Sequence, residues 1–168
     1  MIDFVAKIVW NSFLALVIGV SNAIVGNFMP RQYTNYERFP FKEYSFESGG
    51  KFYCIFGIEK WKDRLPDISK YIKSVFPKKV YVGFVKKDCE YFERFAKETC
   101  VSELVHFVLI LISPIYLFLN WDINWGVMVM LINIVANIPF IMVQRYNRPR
   151  LVRIASKNMK INEEKAGV

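Results

Sequence analysis

The stretch LVHFVLILISPIYLFLNWDINWGVMVMLINIVANIPFIMV, residues 104–143, decides the fold. It consists of two apolar runs, 104–120 and 123–143, of the length that a transmembrane helix needs. Apart from the titratable His106, both runs are uncharged. Because only a short connection around Asn120–Asp122 separates them, we predict that they form a helical hairpin.

A third uncharged run lies at residues 8–25 and is just long enough to cross a bilayer. The residues before it carry one acid and one base, Asp3 and Lys7, and no convincing small-x-small cleavage site precedes a mature domain. The run is therefore predicted to be a retained anchor and not a signal peptide. Trp121 and Trp125 flank the hairpin turn, as aromatic residues do at a membrane interface.

The composition agrees with a membrane protein. Hydrophobic residues make up 54% of the 168 residues, while 23 Lys and Arg against 15 Asp and Glu give a formal net charge of +8. A nucleic-acid-binding protein is also basic, but it does not normally carry long uncharged apolar runs. The predicted fold class is therefore mainly α: an integral membrane helical protein with about three spans in a single domain, residues 1–168.

The basic residues orient the predicted spans. Fifteen of the 23 Lys and Arg lie in residues 29–103 and seven in the tail 144–168, whereas the hairpin turn has none. By the positive-inside rule, both basic segments are cytoplasmic, and the turn and the N-terminus lie outside. The protein is thus predicted to be a multi-pass protein of the cell membrane with its active site on the cytoplasmic side.

The cytoplasmic segment contains further amphipathic stretches. Residues 67–76 and 88–101 have apolar side chains at helical spacing, and the second of these helices is expected to run into the span at 104–120. Residues 79–85 fit a short strand or an extended loop. The basic amphipathic helices fit equally well a position on the inner leaflet or packing against each other.

Cysteine and histidine content argues against a metal site. The three cysteines, Cys54, Cys89 and Cys100, are too widely spaced for a zinc or redox motif and are expected to be reduced structural thiols. With a single histidine in the chain, no protein-built metal site is predicted.

The first candidate catalytic pair is Glu103 and His106. A spacing of three places the two side chains on one helix face, at the boundary of an apolar run. A neutral imidazole oriented by a carboxylate is a general base that can take a proton from a hydroxyl. The same spacing also fits a structural hydrogen bond at a helix boundary. An ionisable group at membrane depth favours a function.

The second candidate is the polar block that ends the last span. Arginine suits phosphate because its planar guanidinium donates two hydrogen bonds at once. The block also fits a stop-transfer cluster. Its proline disfavours the continuation of one straight helix and predicts that the chain folds back toward the headgroups. Its members are Gln144, Arg145, Tyr146, Asn147, Arg148, Pro149 and Arg150.

The sequence contains two further groups of polar residues with a predicted contact. Trp61 among Lys60 and Lys62 fits an interfacial anchor with phosphate-binding capacity, or a solvated charge run. Asn133 and Asn137 lie four residues apart in the last span and are predicted to hydrogen-bond another helix.

Three blocks of sequence resemble a known family. They are KWKDRLP (60–66), ETCVSELVH (98–106) and NIPFIMVQRYNRPRL (137–151), and they are similar to the glycosyl-4,4'-diaponeurosporenoate acyltransferases of staphyloxanthin-type carotenoid synthesis. The resemblance runs from about Phe41 to Ile154. It implies transfer of a fatty acyl group from an activated thioester, with acyl-CoA as co-substrate and no other cofactor, to a sugar hydroxyl of a glycosylated isoprenoid or other glycolipid.

The resemblance gives these candidate residues a common purpose. His106 would deprotonate the acceptor hydroxyl and Glu103 would orient the imidazole. The arginines at 145, 148 and 150 would bind a phosphate-bearing donor, Gln144 and Asn147 would bind the sugar or the oxyanion, and Trp61, Lys60 and Lys62 would help close the site. Two other functions remain open at this point: a small membrane methyltransferase for lipid or prenyl groups, and a non-catalytic basic membrane adaptor.

Overall fold

The computed structural model describes residues 2–66 and 89–166. In this part the chain forms α-helices and 3₁₀ helices and no β-strand. The α-helices are α1 (Ile2–Phe28), α2 (Ile58–Trp61), α3 (Cys89–Leu111), α4 (Ile115–Leu119) and α5 (Ile123–Ala166). Three 3₁₀ helices, Arg31–Tyr33, Ser45–Phe56 and Lys62–Arg64, connect α1 to the middle of the chain. The stretches predicted at 67–76 and 79–85 lie outside the described residues.

The predicted three spans are not confirmed. Among the described helices, two are long and apolar enough to cross a membrane: the Asp3–Phe28 part of α1 and the Ile123–Ile161 part of α5. Most of their apolar side chains are exposed, as a lipid-facing surface requires.

The run at 104–120 is not one helix, which corrects the prediction. α3 ends at Leu111 and α4 begins at Ile115, with a tight turn between them. Pro114 explains the break, because it has no backbone N–H and its ring collides with the preceding helical turn. The other expectation for this region is confirmed: the helix that begins at Cys89 continues without interruption into the apolar run.

The hairpin between the last two apolar runs is confirmed, with α4 as its short arm. Gly126 of α5 approaches α4 so closely that a Cβ there would lie 3.0 Å from the carbonyl oxygen of Tyr116. The N-terminal part of α1 joins the same turn. Lys7 pairs with Asp122 at 3.1 Å, and Asn11 and Asn120 exchange hydrogen bonds of 2.9 and 3.0 Å.

The predicted fold-back of the chain at Pro149 is wrong. α5 continues through Pro139 and Pro149 to Ala166. Its buried residues lie on both sides of Pro149, with Tyr146 and Arg148 before it and Leu151 and Ala155 after it. Packing over this whole length overrides the local cost of the proline.

The segment Ser45–Phe56 packs against α5 at the end of its apolar run. Tyr53, Ile58 and Tyr146 form a buried cluster, against which Phe52, Trp61, Met142 and Val143 pack. Ser48, Gly49 and Gly50 adopt positive φ and form a turn within this segment. Gly50 is required by close approach as well, since a Cβ there would lie 2.8 Å from the carbonyl oxygen of Tyr146.

Candidate active site

His106 is held by a chain of amide side chains between α3 and α5. Its Nδ1 lies 2.8 Å from Oδ1 of Asn137, and its ring stacks on Phe140 with 4.4 Å between centroids. Asn137 donates to the backbone carbonyl of Asn133 at 2.7 Å, and Asn133 donates to the carbonyl of Leu109 at 2.8 Å. The predicted contact of the two asparagines with another helix is confirmed.

The direction of this chain fixes the proton on the imidazole. A backbone carbonyl can only accept, so the amide nitrogen of Asn137 must face Asn133 and its oxygen must face His106. Nδ1 therefore carries a hydrogen and donates it to Asn137. In the neutral ring, the basic nitrogen is then Nε2.

Arg145 lies in a buried ion cluster that includes Glu103, one turn of α3 before His106. Its Nε donates to Glu103 at 2.8 Å, its Nη1 contacts both oxygens of Glu47 at 3.0 and 3.1 Å, and its Nη2 donates to the carbonyl of Pro40 at 2.6 Å. The guanidinium also lies over the ring of Tyr44, 4.7 Å from the centroid.

Arg148 also binds the carboxylate of Glu103. Its Nη2 donates to the second oxygen of Glu103, its Nε to the hydroxyl of Thr99 at 2.9 Å, and its Nη1 to the carbonyl of Phe41 at 2.6 Å. Only 4% of Arg148 is exposed. The cluster thus joins α3, α5 and the loop before Ser45.

Glu47 closes the cluster from the loop side. It accepts from the hydroxyl of Tyr53 and, at 2.7 Å, from the backbone N–H of Tyr44. Burial, and then the hydrogen bond to the Glu47 carboxylate, raise the pKa of Tyr53 well above its usual value. Tyr53 therefore remains a neutral hydrogen-bond donor at physiological pH.

These contacts differ from the predicted arrangement of Glu103 and His106. Both oxygens of Glu103 bind arginine, and the Nδ1 position of His106 is taken by Asn137. Glu103 still lies one turn from His106 on α3, and its catalytic role stays a prediction. The guanidinium groups at 145 and 148 donate to protein acceptors, whereas the sequence predicted them to bind a phosphate.

The register of α3 and α5 locates the amide side chains of the polar block. The helices run antiparallel, with Leu109 opposite Asn133, His106 opposite Asn137, and Glu103 opposite the two arginines. Gln144 lies four residues after Phe140 and four before Arg148, between the histidine level and the ion cluster. Asn147 follows on the same side of α5. Both are half-buried and make no side-chain hydrogen bond with another described residue.

Tyr146 and Arg150 belong to a second cluster on another face of α5. Tyr146 is fully buried and donates to Glu59 at 2.7 Å, while Arg150 lies 4.0 Å from the centroid of its ring. The hydrogen bonds from Tyr146 and then from Arg150 lower the pKa of Glu59 below its usual value. At about 100° per residue, Tyr146 lies opposite Asn137 around the helix.

The predicted closing residues belong to this second cluster. Trp61 packs beside Tyr146 and donates to the carbonyl of Phe56 at 3.0 Å, Lys62 lies 5.4 Å from the centroid of the Tyr146 ring, and Lys60 is exposed. The structure therefore does not bring the 60–62 stretch to the face of α5 that contacts His106.

No metal site is formed in residues 2–66 and 89–166, where no three His, Cys, Asp or Glu side chains come together. The described candidate site offers an imidazole held by Asn137 and, farther along α5, the half-buried amide side chains of Gln144 and Asn147.

Comparison with known proteins decides the family. The sequence profile of the family "Glycosyl-4,4'-diaponeurosporenoate acyltransferase" matches residues 36–157. Proteins of that name from Staphylococcus aureus strains MRSA252, bovine RF122/ET3-1 and USA300 are each 32% identical over 145 residues, which is 83% of this chain and 82% of theirs. This chain belongs to the glycosyl-4,4'-diaponeurosporenoate acyltransferase family. It is an acyltransferase. No solved structure matches it.

Three residues of the candidate site, all within the matched range, were not assigned to it from the sequence. Glu47 lies 98 residues from Arg145, and no local sequence pattern predicts a contact over such a separation. Phe140 is one aromatic residue among many in an apolar run. Asn137 did have a signal, since an amide in an uncharged span needs a partner, but its partner could not be identified from spacing.

Proposed function

We propose that this acyltransferase moves a fatty acyl group from an activated thioester, acyl-CoA, to a sugar hydroxyl of a glycosylated carotenoid or related glycolipid. His106 is the general base. The acceptor class comes from the names of the relatives, and the thioester is the ordinary activated form of a fatty acid. The single observation that carries the mechanism is the hydrogen bond from Nδ1 of His106 to Asn137, which leaves Nε2 as the basic nitrogen.

The proposed reaction needs one proton carrier. Nε2 takes the proton of the sugar hydroxyl while that oxygen attacks the thioester carbonyl carbon. The tetrahedral intermediate collapses, the carbon–sulfur bond breaks, and the new ester forms. The leaving thiolate takes the proton back from the imidazolium, so the ring returns to its neutral form.

The oxyanion of the tetrahedral intermediate needs hydrogen-bond donors. Gln144 and Asn147 supply neutral N–H groups on the helix face that carries Asn137 and Phe140, about 10 and 15 Å along the axis of α5 from Asn137. Their amide groups make no side-chain hydrogen bond with another described residue, so they are available to bind a substrate. A donor aimed at a developing oxyanion contributes about 10²–10³-fold in rate.

The arginines divide into two roles in this proposal. Arg145 and Arg148 position α5 and the loop before Ser45, because their donors already bind carboxylates and carbonyls. Arg150, which is half-exposed, and the basic side chains Lys60 and Lys62 are proposed to bind the phosphates of the donor. The thioester sits at the end of a long arm, so its phosphates can bind away from the reacting carbon.

We propose that the reaction takes place at the cytoplasmic surface of the cell membrane. Two long apolar helices favour a membrane protein, and the basic surplus of residues 29–103 and 144–168 favours the cytoplasm for the part that holds the site. Both substrates carry a lipid chain, which suits a site at the edge of a bilayer.

A labelling experiment tests the activity. Purified protein in lipid nanodiscs is incubated with glycosyl-4,4'-diaponeurosporenoate and radiolabelled palmitoyl-CoA, or with radiolabelled S-adenosylmethionine in a parallel reaction. We expect label from palmitoyl-CoA alone, in a product heavier by one acyl group, and none when the acceptor lacks its sugar. Label transferred from S-adenosylmethionine, or none transferred from palmitoyl-CoA, would overturn the proposal.

A further inference from the structure

A cavity of about 260 Å³ opens beside the ion cluster. Pockets for drug-sized ligands run to about 300–1,000 Å³, so this cavity has room for a smaller group. It lies between the loop before Ser45 and the part of α5 that follows the apolar run. Its lining comprises Tyr36, Glu37, Phe41, Lys42, Glu43, Glu47, Arg145, Arg148, Pro149, Val152 and Arg153.

The charges around this cavity are balanced. Four cations line it, namely Lys42, Arg145, Arg148 and Arg153, against the three carboxylates Glu37, Glu43 and Glu47. A fourth carboxylate, Glu103, binds both arginines at 145 and 148 from behind. A phosphate group would meet as much negative as positive charge here, whereas an uncharged ligand with many hydroxyls would find both donors and acceptors.

The rim of the cavity offers unused hydrogen-bonding groups. The side chains of Glu37 and Lys42 are exposed and have no hydrogen bond or ion pair with other described residues. Glu43 uses one oxygen to accept from the backbone N–H of Gly49. Phe41, Pro149 and Val152 supply an apolar wall. This combination of apolar wall and mixed polar rim matches a sugar ring, which has C–H faces and hydroxyl edges.

The cavity also lies close to the proposed base along the fold. Its lining arginines both bind Glu103, and Glu103 precedes His106 by one turn of α3, a rise of about 4.5 Å. Gln144 lies between the two levels. The cavity thus borders the ion cluster, and the ion cluster lies one turn of α3 from the imidazole.

We propose that this cavity binds the glycosyl group of the acceptor, with Lys42 and Glu37 recognising its hydroxyls. The inference rests on the proposed function for the identity of the acceptor. It assigns acceptor recognition to the loop before Ser45, in which the sequence indicated no site residue.

Equilibrium binding tests this assignment without requiring turnover. Glycosyl-4,4'-diaponeurosporenoate and its sugar-free acid are each titrated into protein in nanodiscs, and the polyene is detected by its quenching of tryptophan fluorescence. We expect the wild type to bind the glycosylated compound at least about tenfold more tightly, since one hydrogen bond to a charged group already contributes that much. Lys42→Ala and Glu37→Gln should each reduce this preference several-fold and leave affinity for the sugar-free acid unchanged.

Matched controls separate recognition from general charge. Lys51→Ala and Asp63→Asn remove exposed charges of the same types outside the cavity, and they should keep the full preference. Val152→Trp fills the cavity and should abolish the preference without removing a charge. Equal binding of the two compounds by the wild type, or an unchanged preference in all three cavity variants, would overturn the inference.

The same titrations distinguish failure of the inference from failure of the proposed function. If the cavity variants weaken binding of palmitoyl-CoA and leave acceptor binding intact, the cavity is a donor site and the inference is wrong. If sugar preference depends on the cavity but the wild type transfers no acyl group, the inference stands and the proposed function fails.

Discussion

Glu103 is the residue on which the ion cluster depends. Its side chain is 9% exposed, and it binds two guanidinium groups whose own side chains are 12% and 5% exposed. Buried charges are costly to desolvate, so such a cluster contributes little net stability while it is intact and much instability when one partner is lost. The residue thus links α3 to α5 next to the proposed base.

Glu103→Gln is expected to lower the free energy of unfolding by about 3 kcal/mol, because Arg145 then keeps one carboxylate, Glu47, while the buried Arg148 loses the carboxylate that it binds. The measurement is a denaturant titration in mixed micelles. Glu93→Gln is the control, since Glu93 forms an exposed pair with Lys97 four residues on, at 2.8 Å, and should cost less than about 0.5 kcal/mol. Equal, small losses in both variants would contradict the assignment of a buried cluster.

Cys100 gives a second prediction at this scale. Burial raises the pKa of its thiol to about 11, so near pH 8 only about one thiol in a thousand is ionised. Iodoacetamide should therefore modify the exposed Cys54 and spare Cys100, as read from the peptides by mass spectrometry. Reaction at Cys100 should appear only as the pH approaches 11. Comparable labelling of both thiols at pH 8 would show that Cys100 is not buried.

Individual residues also show which parts of the candidate site can be predicted from the sequence. The polar block and His106 could be singled out because charged and amide groups are conspicuous beside apolar runs. Their partners could not be predicted, because Glu47 lies 98 residues from Arg145 and Asn137 lies 31 residues from His106. Local spacing suggested Glu103 for the imidazole, but the arginines of α5 offer that carboxylate a stronger charge-assisted bond.

At the scale of elements, α5 organises the molecule. It forms one arm of the hairpin, carries the amide chain in its middle and the ion cluster beyond it, and continues as a basic helix. The segment Ser45–Phe56 docks on it through a tight turn. Gly50 and Gly57 both have positive φ, but only Gly50 touches α5.

Alanine at these two glycines separates docking from backbone strain. Gly57→Ala should cost about 1 kcal/mol of unfolding free energy, the strain of a left-handed residue, because nothing lies within 4 Å of its Cβ. Gly50→Ala should cost about 1–3 kcal/mol more, since its Cβ would meet the backbone of Tyr146. Circular dichroism of thermal unfolding in detergent compares them. Equal losses would mean that the segment does not dock on α5.

Helix positions were easier to predict than helix ends. Hydrophobic runs gave α1, the apolar part of α3 and the hairpin. The two prolines 114 and 149 have the same local chemistry yet opposite outcomes, because buried contacts on both sides of Pro149 hold the helix together. Ser45–Phe56 has no regular periodicity, and its conformation depends on contacts with α5 that are distant in sequence.

For the whole molecule, the surface and the charge distribution suggest how it lies in a membrane. α1 and α5 expose long apolar surfaces, and the N-terminal part of α1 meets the α4–α5 turn through Lys7 and Asp122. The hydrogen bond from Lys7 lowers the pKa of Asp122 below its usual value, so the pair remains ionised at physiological pH. The basic tail lies at the other end of α5.

Cysteine labelling in intact cells tests this arrangement. Trp121→Cys and Lys157→Cys are made separately in a protein whose three native cysteines are replaced by serine, and each side chain is exposed. A membrane-impermeant maleimide should label Trp121→Cys in intact cells and Lys157→Cys only after the membrane is permeabilised. Labelling of both positions in intact cells would contradict the proposed orientation.

The central claim is that His106 takes the proton of the acceptor hydroxyl, and the turnover of His106→Gln tests it most directly. Glutamine keeps an N–H that can donate to Asn137 but has no basic nitrogen. We predict that kcat falls by about 10²–10⁴-fold, the usual contribution of a general base, with little change in the KM of either substrate and in thermal stability. A kcat equal to that of the wild type in the same folded protein would contradict the account.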